Sequence, residues 1–295
     1  MSSESSYYVP DSSKLPIFMA FGLLLFVLGA GGTINDLGKE SSNSYLLLMA
    51  SFAVIWGVMF VWFSNVISEN NQKLYSDQLN RSFVHGMAWF IFSEVMFFFA
   101  FFLALGYVRL FAVPWLGGDG EKGITNILWP AFESAWPVME TPDNENFPGA
   151  YKNMNIPGIS KLHTWLPFWN TLCLVTSSGT IALAESALKK GNRTSFKSWM
   201  VVTISLGFIF VFLQGLEYYE AYAHMGLTLG AGIYGTTFFL LTGFHGFHVC
   251  LGAIILTIMT IRGFNGAFSE HDHFGLAAGS WYWHFVDVVW ILLVL

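Results

Sequence analysis

Seven stretches of this chain are about 20 residues or longer, apolar and poor in charge. They run from Leu15 to Asn35, Tyr45 to Ile67, Phe83 to Phe111, Trp165 to Leu188, Trp199 to Ala221, Tyr234 to Ile261, and Gly275 to the C-terminus. A helix of about 20 apolar residues crosses a hydrocarbon core of about 30 Å. Lipid offers the backbone no hydrogen bonds, so a spanning segment must satisfy its own N–H and C=O groups. Runs of this length predict seven transmembrane helices and an all-α integral membrane protein.

Composition agrees. Of the 295 residues only 11% are charged and 54% are hydrophobic, against about 25% charged in an ordinary soluble domain. An aromatic content of 18% excludes a disordered chain. Cys173 and Cys250 both sit in apolar runs, which excludes a disulfide scaffold and a four-thiolate metal site. A net charge of −6 argues against nucleic acid as a partner. The polar, Ser-rich residues 1–14 lack a basic region and a cleavage site, so no secretory or transit peptide is expected.

The loops set an orientation. Placing the N-terminus and the second, fourth and sixth loops on one side collects Lys14, Lys73, Arg81, Lys189, Lys190, Arg193, Lys197 and Arg262. The other side holds Lys39, Arg109, Lys122, Lys152 and Lys161. Positive charge close to the spans favours the cytoplasm, which predicts a cytoplasmic N-terminus and a periplasmic C-terminus. The organisation read from this is an N-terminal segment 1–14, a two-helix bundle 15–67, a cytoplasmic loop 68–82, and a five-helix bundle 83–295 that includes the external loop 112–164. That loop carries six acids and a stretch with Trp129, Pro130, Trp136 and Pro137, expected to anchor at the membrane interface. Gly275 and Gly279 form a small-xxx-small pair that lets another helix come close.

An ionised side chain at mid-membrane costs about 2.5–3.5 kcal/mol, so each such group needs a partner, a bound proton or a task. Glu94, in Phe92-Ser93-Glu94-Val95-Met96-Phe97-Phe98, lies roughly 16 Å into the third span at 1.5 Å per residue. No Lys or Arg stands within two turns of it. It reads either as a proton-active or lipid-facing carboxylate, or as a protonated acid hydrogen-bonded between helices. Glu217 and Glu220 share a helix face at a spacing of three, near an outer helix end, and read as a hydrogen-bonded cluster. His245 and His248 have the same spacing, which suits a metal or two imidazoles satisfied by neighbouring helices. His284 and Asp287 match a carboxylate that orients an imidazole, or two buried groups that satisfy each other. Glu185 and Lys189 form an i,i+4 pair at a helix end.

These motifs, taken in order, resemble the subunit III family of haem–copper cytochrome c oxidases. The residues that carry the resemblance are Phe92 to Phe98, Glu217-Tyr218-Tyr219-Glu220-Ala221, Tyr234-Gly235-Thr236-Thr237-Phe238-Phe239, Thr242-Gly243-Phe244-His245-Gly246-Phe247-His248-Val249, His273-Phe274-Gly275, and Trp281 to Trp290. Pro167 with Asn170-Thr171-Leu172 resembles the start of the family's fourth helix. Tyr7-Tyr8-Val9-Pro10 and the acidic loop look like proteobacterial members, which favours a bacterial inner membrane over a mitochondrial one.

The resemblance implies seven helices, two plus five, around a V-shaped cleft filled with phospholipid. Quinol-oxidase relatives typically lack the first two spans, so their presence favours the cytochrome c branch. It implies an accessory, non-redox subunit of a proton-pumping terminal oxidase in aerobic respiration. Such a subunit flanks oxidase subunits I and II, with cytochrome c as donor to the complex and haem and copper held by those partners. The chain would hold no metal and no catalytic residue, but bind phospholipid, give oxygen an apolar approach, and support proton uptake and stability during turnover. Glu94 would sit at the cleft, Arg262 and Arg81 would meet lipid headgroups, and His245, His248, Glu217, Glu220, His284 and Asp287 would be polar ties between helices. Three places depart from the family pattern: Val84 and Ser64 stand where Arg is usual, and Leu183-Ala184-Glu185-Ser186-Ala187-Leu188 replaces Trp-Ala-His-His-Ala-Leu. Two rival readings are a proton-coupled transporter using Glu94 and Glu217, and a redox enzyme with a metal at His245, His248 and His284. A transporter would show matching interrupted helices, and none is evident.

Overall fold

The computed structural model describes residues 8–9, 12–36, 43–152, 157–270 and 272–295. Most of the segment 1–14, including Tyr7 and Pro10, and Lys39 of the charge comparison lie outside the described residues. Within them the chain is helical with no strand. Seven helices are long and apolar enough to cross a membrane: α1 Leu15–Asn35, α2 Ser44–Asn71, α3 Asp77–Leu116, α4 Leu166–Lys189, α5 Arg193–His224, α6 Gly232–Phe264 and α7 Phe274–Val294. Several outrun their hydropathy segments. Apolarity marks the part in lipid, whereas i→i−4 hydrogen bonds continue into the polar turns beyond it.

The ends follow local chemistry. Pro16 and Pro167 stand in the first turns of α1 and α4, where a missing N–H costs nothing. Asn192 caps α5 by accepting from the Ser195 backbone N–H, as a short polar side chain does at a helix start. The C-terminal end of α3 widens into a π turn over Val108–Ala112 just before Pro114. A proline ring crowds the carbonyl four residues back and cannot donate to it. The wide turn relieves that clash.

The chain divides into two compact units, Met1–His85 and Gly86–Leu295. In the first, α1 and α2 pack as a close pair. A Cβ on Gly29 would lie 2.6 Å from the backbone nitrogen of Leu48, and one on Gly22 would lie 3.0 Å from Ile55. Ser51 is fully buried and Phe26 meets Phe52 edge to face at 5.5 Å. Small residues that let backbones approach are how helices gain contact where lipid gives no hydrophobic drive. In the loop after α2 the Tyr75 hydroxyl donates to Glu69 Oε2 at 2.9 Å, with Val66 O 3.1 Å away. Burial, and secondarily the Glu69 carboxylate, push that phenol above its usual range.

In the second unit, Trp283 of α7 is buried at the centre. Its indole lies against Gly207 of α5 and Gly252 of α6, where an added Cβ would come within 2.8 Å of the ring on either side. Its Nε1–H donates to Ser177 Oγ of α4 at 2.8 Å. Further polar ties join Thr180 to Thr203, Trp290 Nε1–H to Thr171 Oγ1, and Tyr218 to Thr242. Gly279 faces Ile255 and Leu256, and Gly275 faces Met259, so this small-residue pair of α7 lies against α6. Around these lie Leu174, Ile181, Met200, Phe210, Leu256 and Val286, all buried.

The segment after α3 is built onto the second unit. The four Trp and Pro residues read as one interface anchor are separated there. Trp129 and Pro130 are exposed, while Trp136 is half-buried and Pro137 buried. Trp136 lies between the Arg109 guanidinium, 5.8 Å from its ring, and Tyr234 at 5.9 Å. The Tyr151 N–H donates to Met225 O beyond the end of α5.

Candidate functional site

Glu94, on the third helix, meets His248, on the sixth. Glu94 Oε2 is 2.9 Å from His248 Nε2. Nδ1 of the same imidazole is 2.6 Å from the Phe244 carbonyl oxygen, one turn back on α6. A carbonyl only accepts, so Nδ1 carries a hydrogen and donates to it. That assignment, made from hydrogen-bond chemistry, settles what faces Glu94. Either a neutral imidazole accepts from a protonated carboxyl, or an imidazolium donates to a carboxylate. Both placements hold one proton between the two side chains and carry no net charge.

Aromatic rings surround the pair. Phe98 lies 5.1 Å from the imidazole centroid, Phe247 5.9 Å, Phe97 6.1 Å, Tyr282 6.4 Å and Phe285 6.5 Å. The His248 side chain is 9% exposed and that of Glu94 23%. Phe97 and Phe98, from the run of Phe residues next to Glu94, thus form part of the aromatic wall around this hydrogen bond. A hydrogen bond in so apolar a setting is stronger than one in water, and an unpaired group there is correspondingly costly.

The two histidines spaced by three do not converge on a common point. His245 is fully buried and its Nε2–H donates to Val286 O of α7 at 3.2 Å. Among the described residues no three His, Cys, Asp or Glu side chains gather as a metal-ligating group. The two glutamates also part company. Glu217 is buried and Asn170 Nδ2–H of α4 approaches its Oε2 at 3.4 Å. Glu220 is exposed and makes no hydrogen bond or salt bridge among the described residues, so within the chain it ties nothing.

His284 has a partner on another helix as well as the carboxylate expected from sequence. Its Nδ1 is 2.5 Å from Ser178 Oγ of α4, while Asp287 Oδ2 is 3.8 Å away. The imidazole is held by a hydroxyl of another helix, with the carboxylate one turn along at ion-pair distance. Glu185 and Lys189 stand 4.0 Å apart. Arg262, at the cytoplasmic-side end of α6 in the predicted orientation, stacks its guanidinium over Phe268 at 5.4 Å. Arg81 is exposed, and Ser64 turns its hydroxyl back to Phe60 O. Gln214, buried on α5 with neither amide atom partnered among the described residues, gave no signal in sequence. It lies in an apolar run of α5.

Seven apolar helices, with Glu94, Glu217, His245 and His284 each meeting a neighbouring helix, define a multi-pass integral membrane protein. The family model described as cytochrome c oxidase subunit III matches residues 5–130 and 123–295. The chain is 33% identical over 294 residues to cytochrome c oxidase subunit 3 of Arabidopsis thaliana, covering 99% of this chain and 95% of that one. It is 33% identical over 290 residues to the protein of that name from Oryctolagus cuniculus, with 98% and 94% covered. With that of Prototheca wickerhamii it shares 33% over 289 residues, with 97% and 94% covered. The chain belongs to the cytochrome c oxidase subunit III family, and it is an accessory subunit of an oxidase complex of the respiratory chain.

Proposed function

We propose that the chain works as a non-redox flank of a proton-pumping cytochrome c oxidase, beside the subunits that carry haem and copper and receive electrons from cytochrome c. In this reading the chain binds phospholipid, and its apolar surface gives oxygen a path towards the catalytic subunit. It also supports proton uptake and protects the catalytic core during turnover. The N-terminus lies in the cytoplasm and the C-terminus in the periplasm of a bacterial inner membrane. Arg262 and Arg81 offer guanidinium N–H groups suited to bidentate bonds with lipid phosphate.

The observation that carries this reading is the Glu94–His248 pair. A half-buried acid that shares one proton with an imidazole inside an aromatic cage is satisfied without any ion. It holds α3 to α6 beside a surface suited to lipid. The test is the assembled complex carrying Glu94→Gln or His248→Leu. Haem absorption bands unchanged in position and height, with faster loss of oxygen consumption during sustained turnover, support the proposal. A lost or shifted haem band would contradict a non-redox role.

A further inference from the structure

The short turn that follows α3 is built inside out. Residues Gly123–Leu128 form a 3₁₀ turn, and its polar side chains reach back to the helix they follow. Thr125 Oγ1–H donates to Trp115 O at 2.8 Å, with Lys122 O 3.0 Å away. Asn126 Nδ2–H donates to Leu116 O at 3.0 Å and to Trp129 O at 3.2 Å. Trp115 and Leu116 lie in the last turn of α3, the end at which a helix leaves carbonyls for other groups to satisfy. The turn is also pressed close to the chain it leaves, since a Cβ on Gly123 would lie 2.3 Å from Gly118 O.

The apolar side chains of the turn face outward instead. Ile124 is 75% exposed, Ile127 74% and Leu128 73%. Ile124 and Ile127 stand three apart, a spacing that eclipses them on one face of a 3₁₀ turn. Single exposed apolar residues are ordinary, but neighbouring ones form a patch, and a patch marks a contact surface.

The rim of a membrane span lies level with this patch. α3 stays apolar through its last residues, Val113-Pro114-Trp115-Leu116. Tyr107, Phe111 and Trp115 stand four apart along it and form a ladder of rings, with successive centroids 6.1 Å and 5.7 Å apart. The Lys122 ammonium lies 4.6 Å from the Trp115 ring centroid. Tyr and Trp collect at the headgroup level of a bilayer, and Lys there lays its stem along apolar surface with its charge in water. Because the turn bonds to Trp115 and Leu116, it shares their height. A protein partner is the other occupant to consider, but Lys is depleted at the centre of protein interfaces, and the ladder continues the surface of a spanning helix.

We propose that the Gly123–Leu128 turn dips into the interfacial layer of the bilayer. Ile124, Ile127 and Leu128 lie among the upper acyl chains of phospholipid, and the C-terminal end of α3 is fixed at headgroup height. The sequence points to Trp129, Pro130, Trp136 and Pro137 for such an anchor, but Trp136 packs against Tyr234. The proposal needs only that α3 spans a membrane, and it stands apart from the oxygen and proton roles above.

The test places a photo-reactive amino acid at Ile127 and, in a second variant, at Glu145, an exposed residue of the same segment. The assembled complex carrying each is reconstituted into phosphatidylcholine vesicles, irradiated and analysed by mass spectrometry. Phospholipid adducts at Ile127 should exceed those at Glu145 by about tenfold, as burial at the boundary of headgroups and acyl chains requires. A polypeptide adduct at Ile127, equal lipid labelling at the two positions, or no lipid adduct at Ile127 would overturn the proposal. Haem content per chain, read on the same samples, reports separately on the oxidase reading.

Discussion

Glu94 and His248 stand 154 positions apart in the chain and 2.9 Å apart in space. The Phe244 carbonyl, by taking the hydrogen of Nδ1, leaves Nε2 and the carboxyl one proton to share. Glutamine at 94 can still offer an N–H to a bare Nε2, so Glu94→Gln should cost less than about 1 kcal/mol of stability. His248→Leu leaves the carboxyl unpartnered and should cost about 1–3 kcal/mol. Combining Glu94→Leu with His248→Leu should cost less than the sum of the single changes, because contacting groups couple. Thermal loss of helicity in detergent measures all four.

The Trp283 indole is clamped between Gly207 and Gly252. Gly207→Val should destabilise the chain by about 1–3 kcal/mol, since well-packed interiors resist added volume. Adding Trp283→Leu should recover part of that loss by making room, although it also removes the donor to Ser177. A double-mutant cycle on thermal unfolding gives the coupling directly.

Much of this was legible beforehand. The seven helices follow from hydropathy because burial in lipid depends on apolar length and little else. The pairing of Gly275 and Gly279 with a neighbour follows from their spacing. Partners from distant helices did not follow. No rule of spacing brings His248 to Glu94 or Ser178 to His284, because such contacts depend on which helices pack together. The i,i+3 rule placed Glu217 and Glu220 on one face, yet the boundary between buried and exposed passes between them. The π turn of α3 was missed because Pro114 lies beyond the predicted end of the third span.

Gly29 and Gly31 stand two residues apart on α1 and should respond oppositely. Gly29→Ala drives a methyl into the Leu48 backbone, which cannot rotate away, so it should lower the melting temperature of the chain. A Cβ at Gly31 meets nothing within 4 Å. Gly31→Ala should be neutral or stabilise by up to about 1 kcal/mol through helix propensity. Equal effects of the two changes would rule out the close α1–α2 approach.

The segment after α3 is held partly by Arg109 over Trp136. An exposed cation–π contact is worth about 0.5–1 kcal/mol. Trp136→Leu removes that contact and the one with Tyr234, and should speed limited proteolysis of residues 117–152 by about two- to fivefold. Arg109→Lys keeps a cation and should change the rate less. The measurement is the time course of cleavage in detergent at fixed protease.

The wide turn at Val108–Ala112 also resets the phase of α3. An α-helix advances about 100° per residue, and a π turn takes an extra residue to complete the circle. Side chains beyond it therefore lag the compass bearing that Glu94 and Phe98 establish. A helical wheel drawn straight through the segment misassigns Val113 and Trp115, and deleting one residue there would swing Arg109 away from the ring it covers.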